Sequence, residues 1–273
     1  MRTRLPLLRL ALHRRRHMLT AVLLGTVAFE TLIVVVTNTI PPEQLFSSGT
    51  EGPPSAYRAF SGSSGEVSLA SYPGLLGAGL VHPLWIALQL TAIGSLAAAA
   101  VAADVESGTI ELVAVRPVTR VRLLAERAGA CLPASAGVTA TATLTVAVGV
   151  ALSPEIHAEV GLGGVFAAGL MGYGFTLRMT GPAPAVSAAG RTRSRVLGAV
   201  VTFGTVGFAV NFIALAREPA APLRYASPFH YYTPGDALAR GAVLWPQLAV
   251  LVGAGTAGLL AAHVLLRRRD LAR

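Results

Sequence analysis

A single carboxylate, Glu30, lies near the middle of the apolar run Met18–Ile40. An ionisable group in such a run is costly in lipid and marks a substrate path, a proton relay or a partner hidden inside the protein. Two readings stay open: a working carboxyl, or an acid held in a helix bundle by Thr26, Thr31 or a neighbouring helix. Arg178 also falls within an apolar stretch, but helix rise places it about 12 Å deeper from the outer face than Glu30. That gap exceeds the reach of an ion pair, so Arg178 is expected to snorkel towards the inner face. Other reactive groups are sparse. The six histidines (His13, His17, His82, His157, His230 and His263) are scattered, mostly near span ends or in loops. Cys131 is the only cysteine, so neither an intrachain disulfide nor a cysteine zinc cluster can form. There is no H-E-x-x-H and no G-x-S-x-G. No catalytic, metal-ligating or cofactor-binding residue is assigned. All 22 basic residues are arginine. Without lysine the chain can build neither a P-loop nor a lysine Schiff base, which excludes a conventional ATPase acting alone.

The elements that must position these groups are apolar helices. Of 273 residues, 53% are hydrophobic and 13% charged, against roughly 25% charged in soluble domains. A helix needs about 20 apolar residues to cross a bilayer. Six segments qualify: 18–40, 81–103, 128–152, 160–180, 196–216 and 244–266. The fourth is the least clean, because Arg178 lies inside it and Gly181, Pro182 and Pro184 follow; a kinked continuation towards Ala189 is one reading of it. The net charge of +9 comes from arginines that flank these runs, so they read as topology signals rather than as a nucleic-acid surface. Seventeen arginines fall on the side of the two termini and four on the other, with Arg178 set aside. Both ends are therefore expected in the cytoplasm. The first apolar run is too long for a cleavable signal core of roughly 7–15 residues. Leu5, Leu8 and Leu12 share a face before it, which predicts an amphipathic surface helix over 1–17. On the opposite side, residues 41 to 74 read as an irregular loop rich in Pro, Gly and Ser. Before the last span, Tyr225, Phe229, Tyr231 and Tyr232, bracketed by Pro228 and Pro234, fit an interfacial or re-entrant element, since aromatic rings with polar tips favour the headgroup level.

Between the second and third spans lies a polar block, Asp104–Arg127. Ser107 can N-cap a helix and Glu111 falls in its first turn. Ile110, Val113 and Ala114 then share one face. Pro117 stops the helix, and Thr119 can cap the next. The spacing fits either a loop obeying the positive-inside rule or a docking helix that passes force between membrane and soluble parts.

The block ESGTIELVAVRPVTRVRLLAER resembles a segment of ABC-2-type permeases, the membrane subunits of bacterial ABC exporters. SPFHYYTPGDAL resembles the segment before that family's last span, and RRRDLAR its C-terminal signature. The three occur in the family's order. The resemblance implies one all-α membrane domain over 1–273, with six helices, a cytoplasmic coupling helix and a multi-pass position in the bacterial cell membrane. It implies a homodimer, or a heterodimer with a related permease. It also implies a separate ATP-binding subunit that holds ATP and Mg. Glu106, Gly108, Thr109, Glu111 and Pro117 match the family's coupling segment, where Ile110 and Val113 would seat in a groove of the ATPase. Short re-entrant helices are implied before the sixth span. The long outer loop and the broken fourth span depart from the family pattern.

Two rival functions remain on the sequence. One is a membrane anchor or sensor that recruits a cytosolic ATPase without transport. The other is an intramembrane enzyme using Glu30, against which stands the lack of a second catalytic group beside it. The apolar spans lean weakly towards a lipophilic or amphiphilic cargo.

Overall fold

Each long apolar run forms a helix because nothing in lipid satisfies backbone N–H and C=O groups except the helix itself. The computed structural model describes residues 5–42, 62–64, 67–100, 102–108, 120–189 and 192–268. Among them the chain is helical throughout, with no strand. Five helical stretches are long and apolar enough to cross a membrane: Arg16–Thr39, Tyr72–Ala100, Ala125–Leu152, Arg193–Ala216 and Trp245–Val264. The segment expected as a fourth span forms a 19-residue helix, Leu162–Thr180, whose glycines, Thr176 and Arg178 make it less apolar than those five.

In chain order, α1 (Pro6–Arg14) starts with proline at its first position, where a missing N–H costs nothing. It is followed by α2 (Arg16–Thr39). The next long stretch is two helices, α3 (Tyr72–Val81) and α4 (Pro83–Ala100). The Ser71 side chain caps α3 by accepting from the Gly74 amide at 3.3 Å. Pro83 lacks the N–H that would continue the ladder, and the chain breaks at His82. Then come α5 (Ala102–Glu106), α6 (Arg120–Gly129), α7 (Cys131–Leu152) and α8 (Pro154–Glu159). Helix α9 (Leu162–Thr180) ends before Gly181-Pro182, and α10 (Ala183–Ala189) follows directly, so the fourth segment does continue to Ala189 beyond a break. After α11 (Arg193–Ala216) a 3₁₀ helix covers Glu218–Ala226; α12 (Pro228–Tyr231), α13 (Pro234–Arg240) and α14 (Trp245–Arg268) complete the chain.

Helices α4 and α9 are central. Trp85, Leu96 and Ala97 on α4 and Met171 and Phe175 on α9 are fully buried. Helix α2 buries one face, through Val22, Thr26, Phe29, Glu30, Val34 and Thr37, and leaves Leu24, Leu32 and Val35 outside. That outward apolar face suits lipid. Close approach sets the pairing of α9 with α14. A methyl group added at Gly255 would fall 2.7 Å from the Leu177 carbonyl oxygen, so only glycine allows the two backbones to meet there.

Candidate functional site

The site grows from one face of α2. Thr26 and Glu30 are one turn apart and both fully buried. Helix α4 contributes Trp85 and Gln89, also one turn apart and buried. Helix α7 contributes Ser135 and Thr139. The chain between α11 and α14 supplies Tyr232, and that segment turns inward. Pro228, Phe229 and the run from Tyr232 to Leu238 are buried, whereas Tyr231 is half-buried and its hydroxyl donates to the Tyr225 carbonyl at 3.2 Å.

Local chemistry fixes this inward turn. Ser227 donates through its hydroxyl to the Gly207 carbonyl of α11 at 2.7 Å and accepts from the Phe229 amide at 3.1 Å. Phe229 meets Phe208 edge-on at 5.4 Å and Phe175 at 4.9 Å. Tyr232 stacks on Phe175 at 4.6 Å, and its hydroxyl donates to the Leu80 carbonyl at 3.1 Å. Asp236 anchors the far side: its carboxylate accepts from the Ser64 amide at 2.9 Å, and the Gly235 amide donates to the Gly62 carbonyl at 2.8 Å. Asp236 was not singled out from the sequence; its place in the run Pro234-Gly235-Asp236 was the available signal.

Tyr232 is where these elements converge. The Trp85 indole N–H lies beside its hydroxyl without reaching hydrogen-bond geometry. Thr139 and the Tyr232 hydroxyl both border Gly172, within 3.4 Å of where a methyl group there would sit. Burial raises the Tyr232 phenol far above its usual range; Trp85 opposes the rise and the nearby Glu30 adds to it. Among the described residues, neither Glu30 oxygen has a hydrogen-bond partner, and the same holds for the Thr26 hydroxyl, both polar atoms of the Gln89 amide and the Thr139 hydroxyl. A hydrogen bond from Glu30 to Thr26 or Thr31, one option of the second reading, is not made. Buried polar groups are normally satisfied. A cluster of them around a carboxyl holds hydrogen-bonding capacity that a polar group or a proton entering the bundle can use. Arg178 is not part of it: its guanidinium lies over the Phe203 ring at 5.3 Å.

A second set of functional residues was expected in the polar block. Thr109, Ile110, Glu111, Val113 and Pro117 lie outside the described residues; Glu106 and Gly108 lie within them. The Glu106 carboxylate accepts from the Arg193 amide at 2.9 Å, and the Arg193 guanidinium stands 3.9 Å away. Gly108 adopts a left-handed conformation with φ +68°, the usual way for a helix to end. The Ser107 hydroxyl donates back to the Ala103 carbonyl at 2.8 Å, at the end of α5; the helix that Ser107 could cap lies outside the described residues. Glu126 was also missed. Its carboxylate takes the Arg122 guanidinium at 2.7 Å and the Leu7 amide at 3.1 Å, tying α6 to the start of α1. The i, i+4 spacing of Arg122 and Glu126 was the signal available. Among the described residues no group of three or more His, Cys, Asp or Glu could hold a metal ion.

The sequence matches no protein-family model, and no curated protein resembles it significantly.

Proposed function

We propose that this chain is the permease subunit of an ATP-driven exporter of the ABC-2 type in a bacterial cell membrane. It crosses six times with both termini in the cytoplasm, α9 being the fourth span, and works as a dimer. ATP and Mg are held by a separate ATP-binding subunit.

The observation that carries this reading is the way one end of the bundle is tied together around residues 104–127. Helix α5 leads into that block from α4, and α6 leads out of it into α7. Glu106 holds the first turn of α11, and Glu126 holds the first turn of α1. Arg127 adds a bond from its guanidinium to the Ala100 carbonyl of α4 at 3.3 Å. A push on the block from outside the membrane would therefore reach α1, α4, α7 and α11 together. That is the mechanical requirement for an ATPase on a separate chain to change the access of a path inside the bundle. The three motifs, in the permease order, are the second support.

On this reading the interior cluster around Glu30 lies on the path or beside it, and the segment at Pro228, Phe229, Tyr231 and Tyr232 re-enters from the outer side to close it. The test is co-expression with an ATP-binding subunit encoded beside this chain. Affinity capture should retain that subunit, and ATP should drive cargo out of intact cells. Failure of capture under conditions where the chain is inserted and folded would contradict the reading.

A further inference from the structure

Glu30 lies near the middle of α2 with no exposed surface, and among the described residues neither of its oxygens has a hydrogen-bond partner. Nothing described nearby supplies a counter-charge. The chain has no lysine, and the Arg178 guanidinium lies over Phe203. The titratable groups on the helices packed against α2 face elsewhere. On α3 the Tyr72 hydroxyl donates to Glu155 at 3.3 Å. Before α4 the exposed His82 puts its ring against Phe29 at 5.1 Å and accepts the Leu84 amide at 3.2 Å. On α7 the Cys131 thiol donates to the Ile93 carbonyl at 3.8 Å. In the inward-turning segment Tyr232 donates to the Leu80 carbonyl, and Asp236 takes the Ser64 amide.

An ionised carboxylate shut away from water without a partner is too costly to persist, and such a group takes up a proton instead. The neutral acid has one O–H to donate and oxygens left to accept. Its surroundings can use both. A methyl group at Gly25 would meet Leu88 at 3.3 Å, and Phe29 meets His82. These two contacts set Thr26 and Glu30 on α2 level with Gln89 and Trp85 on α4. Glu30 is also near enough to Tyr232 for its charge to act there. The Thr26 hydroxyl, the Gln89 amide and the Trp85 indole N–H are all buried without partners. Trp85 offers only an N–H, which a carboxyl oxygen can accept and a metal cation would repel.

We propose that Glu30 holds a proton while the bundle is closed and releases it when water reaches the cluster, so that proton binding at this one carboxyl governs opening. On opening, the carboxyl O–H bond breaks, the proton passes to water and a carboxylate remains; closing reverses each change. An acid in water titrates at about 4.3, and the closed state binds the proton more readily than that. Closure therefore weakens as pH rises, by about tenfold per pH unit while the open form is ionised and the closed form is not. Such a latch needs a membrane-embedded bundle but not the permease reading, and its test uses neither ATPase nor cargo.

The experiment takes the purified full chain in phosphatidylcholine nanodiscs. Its two tryptophans are Trp85 and Trp245. Trp245 is exposed, so Trp245→Phe leaves Trp85 as the reporter inside the cluster. The infrared difference between this chain and the same chain with Glu30→Gln reads the protonation of Glu30. Acrylamide quenching of Trp85 reads water access. At neutral pH the difference should contain a carboxylic acid C=O band and no carboxylate band. The quenchable fraction should rise towards alkaline pH, by up to about tenfold per unit, and should be independent of pH in Glu30→Gln. Glu30→Leu repeats the quenching comparison if Glu30→Gln folds poorly. Asp236→Asn should keep the titration, which separates Glu30 from the other buried acid. A Glu30 carboxylate band at neutral pH, or the same pH dependence in Glu30→Gln, would overturn the proposal. So would protection of Trp85 by sodium at fixed pH as strong as that by acid, which would make the ligand a metal cation.

Discussion

The interior of the bundle and its arginine-rich end face the same difficulty, polar groups beside apolar surroundings, and meet it in opposite ways. Around Glu30 and Tyr232 the polar atoms are sealed from solvent and many stay without partners among the described residues. At the arginine-rich end Glu106 and Glu126 each hold a backbone amide and an arginine, and four arginines line an open pocket. Unspent capacity inside favours an occupant that comes and goes. The aromatic stack of Phe175, Tyr232 and Phe229 is what keeps the interior cluster shut, whereas carboxylate-to-amide bonds hold the other end together.

The largest effect should come from breaking the interior stack. Phe175→Ala removes a fully buried ring that touches both Tyr232 and Phe229. A loss of about 3–5 kcal/mol is expected, read as a fall in the unfolding midpoint in detergent. A surface change at the other end, Arg14→Gln, should stay within about 0.5 kcal/mol. Equal losses at both would erase the distinction between a packed interior and an open rim.

Glu30 separates stability from use. Glu30→Leu keeps bulk and removes two unpartnered oxygens, so stability should hold or rise by about 1 kcal/mol. Glu30→Gln keeps shape and removes the charge. Both should impair transport on the proposed reading. Normal transport by both across pH would leave Glu30 as packing alone.

At the arginine-rich end, Gly108→Ala forces a side chain into a left-handed position, though with open space around it. The cost should be about 1–2 kcal/mol, confined to the end of α5. It should show as faster local proteolysis or hydrogen exchange near 102–108, with the interior unchanged. A global loss of stability would mean that the two regions are not separable.

The smallest expected effect concerns pH. His230 titrates below its ordinary 6.5, first through burial and then through Arg224. The unfolded chain then binds the proton more readily, so stability falls as pH drops below about 6.5. His230→Gln should flatten that acid limb of a Tm-against-pH curve; an unchanged limb would assign the loss to other groups.

Much of this architecture was legible because lipid-facing helices advertise themselves as long apolar runs. Five of the six expected runs meet the length and apolarity of a crossing helix. What was not legible came from local backbone chemistry and from contacts between distant segments. The loop was read to about residue 74 and the second span from Val81, so the helix Tyr72–Val81 was not foreseen; Ser71 caps it and burial against α2 and α13 holds it. Gly108, left-handed just after α5, was not singled out as a helix stop, since glycine alone does not say which side of it is helical. Glu30 stood out as a lone acid. Its neighbours Trp85 and Tyr232 did not, because Tyr232 reaches the bundle only through the turn at Ser227 and Pro228, and no spacing rule joins it to α2.

The most direct measurement is capture and transport with residues 104–127 altered. The chain is co-expressed with an adjacent ATP-binding subunit as the wild type, Ile110→Asp and Glu111→Arg. Membrane insertion, retention of the ATPase and ATP-driven efflux are then measured together. If Glu111 opens a helix as its sequence predicts, reversing it forfeits about 0.3–1 kcal/mol, too little to block insertion, so the loss should fall on the partner. The wild type should retain the ATPase and transport; the variants should insert normally and lose capture, or hydrolyse ATP without moving cargo. Full transport by both variants, or ATP turnover by this lysine-free chain with no partner present, would contradict the proposed role.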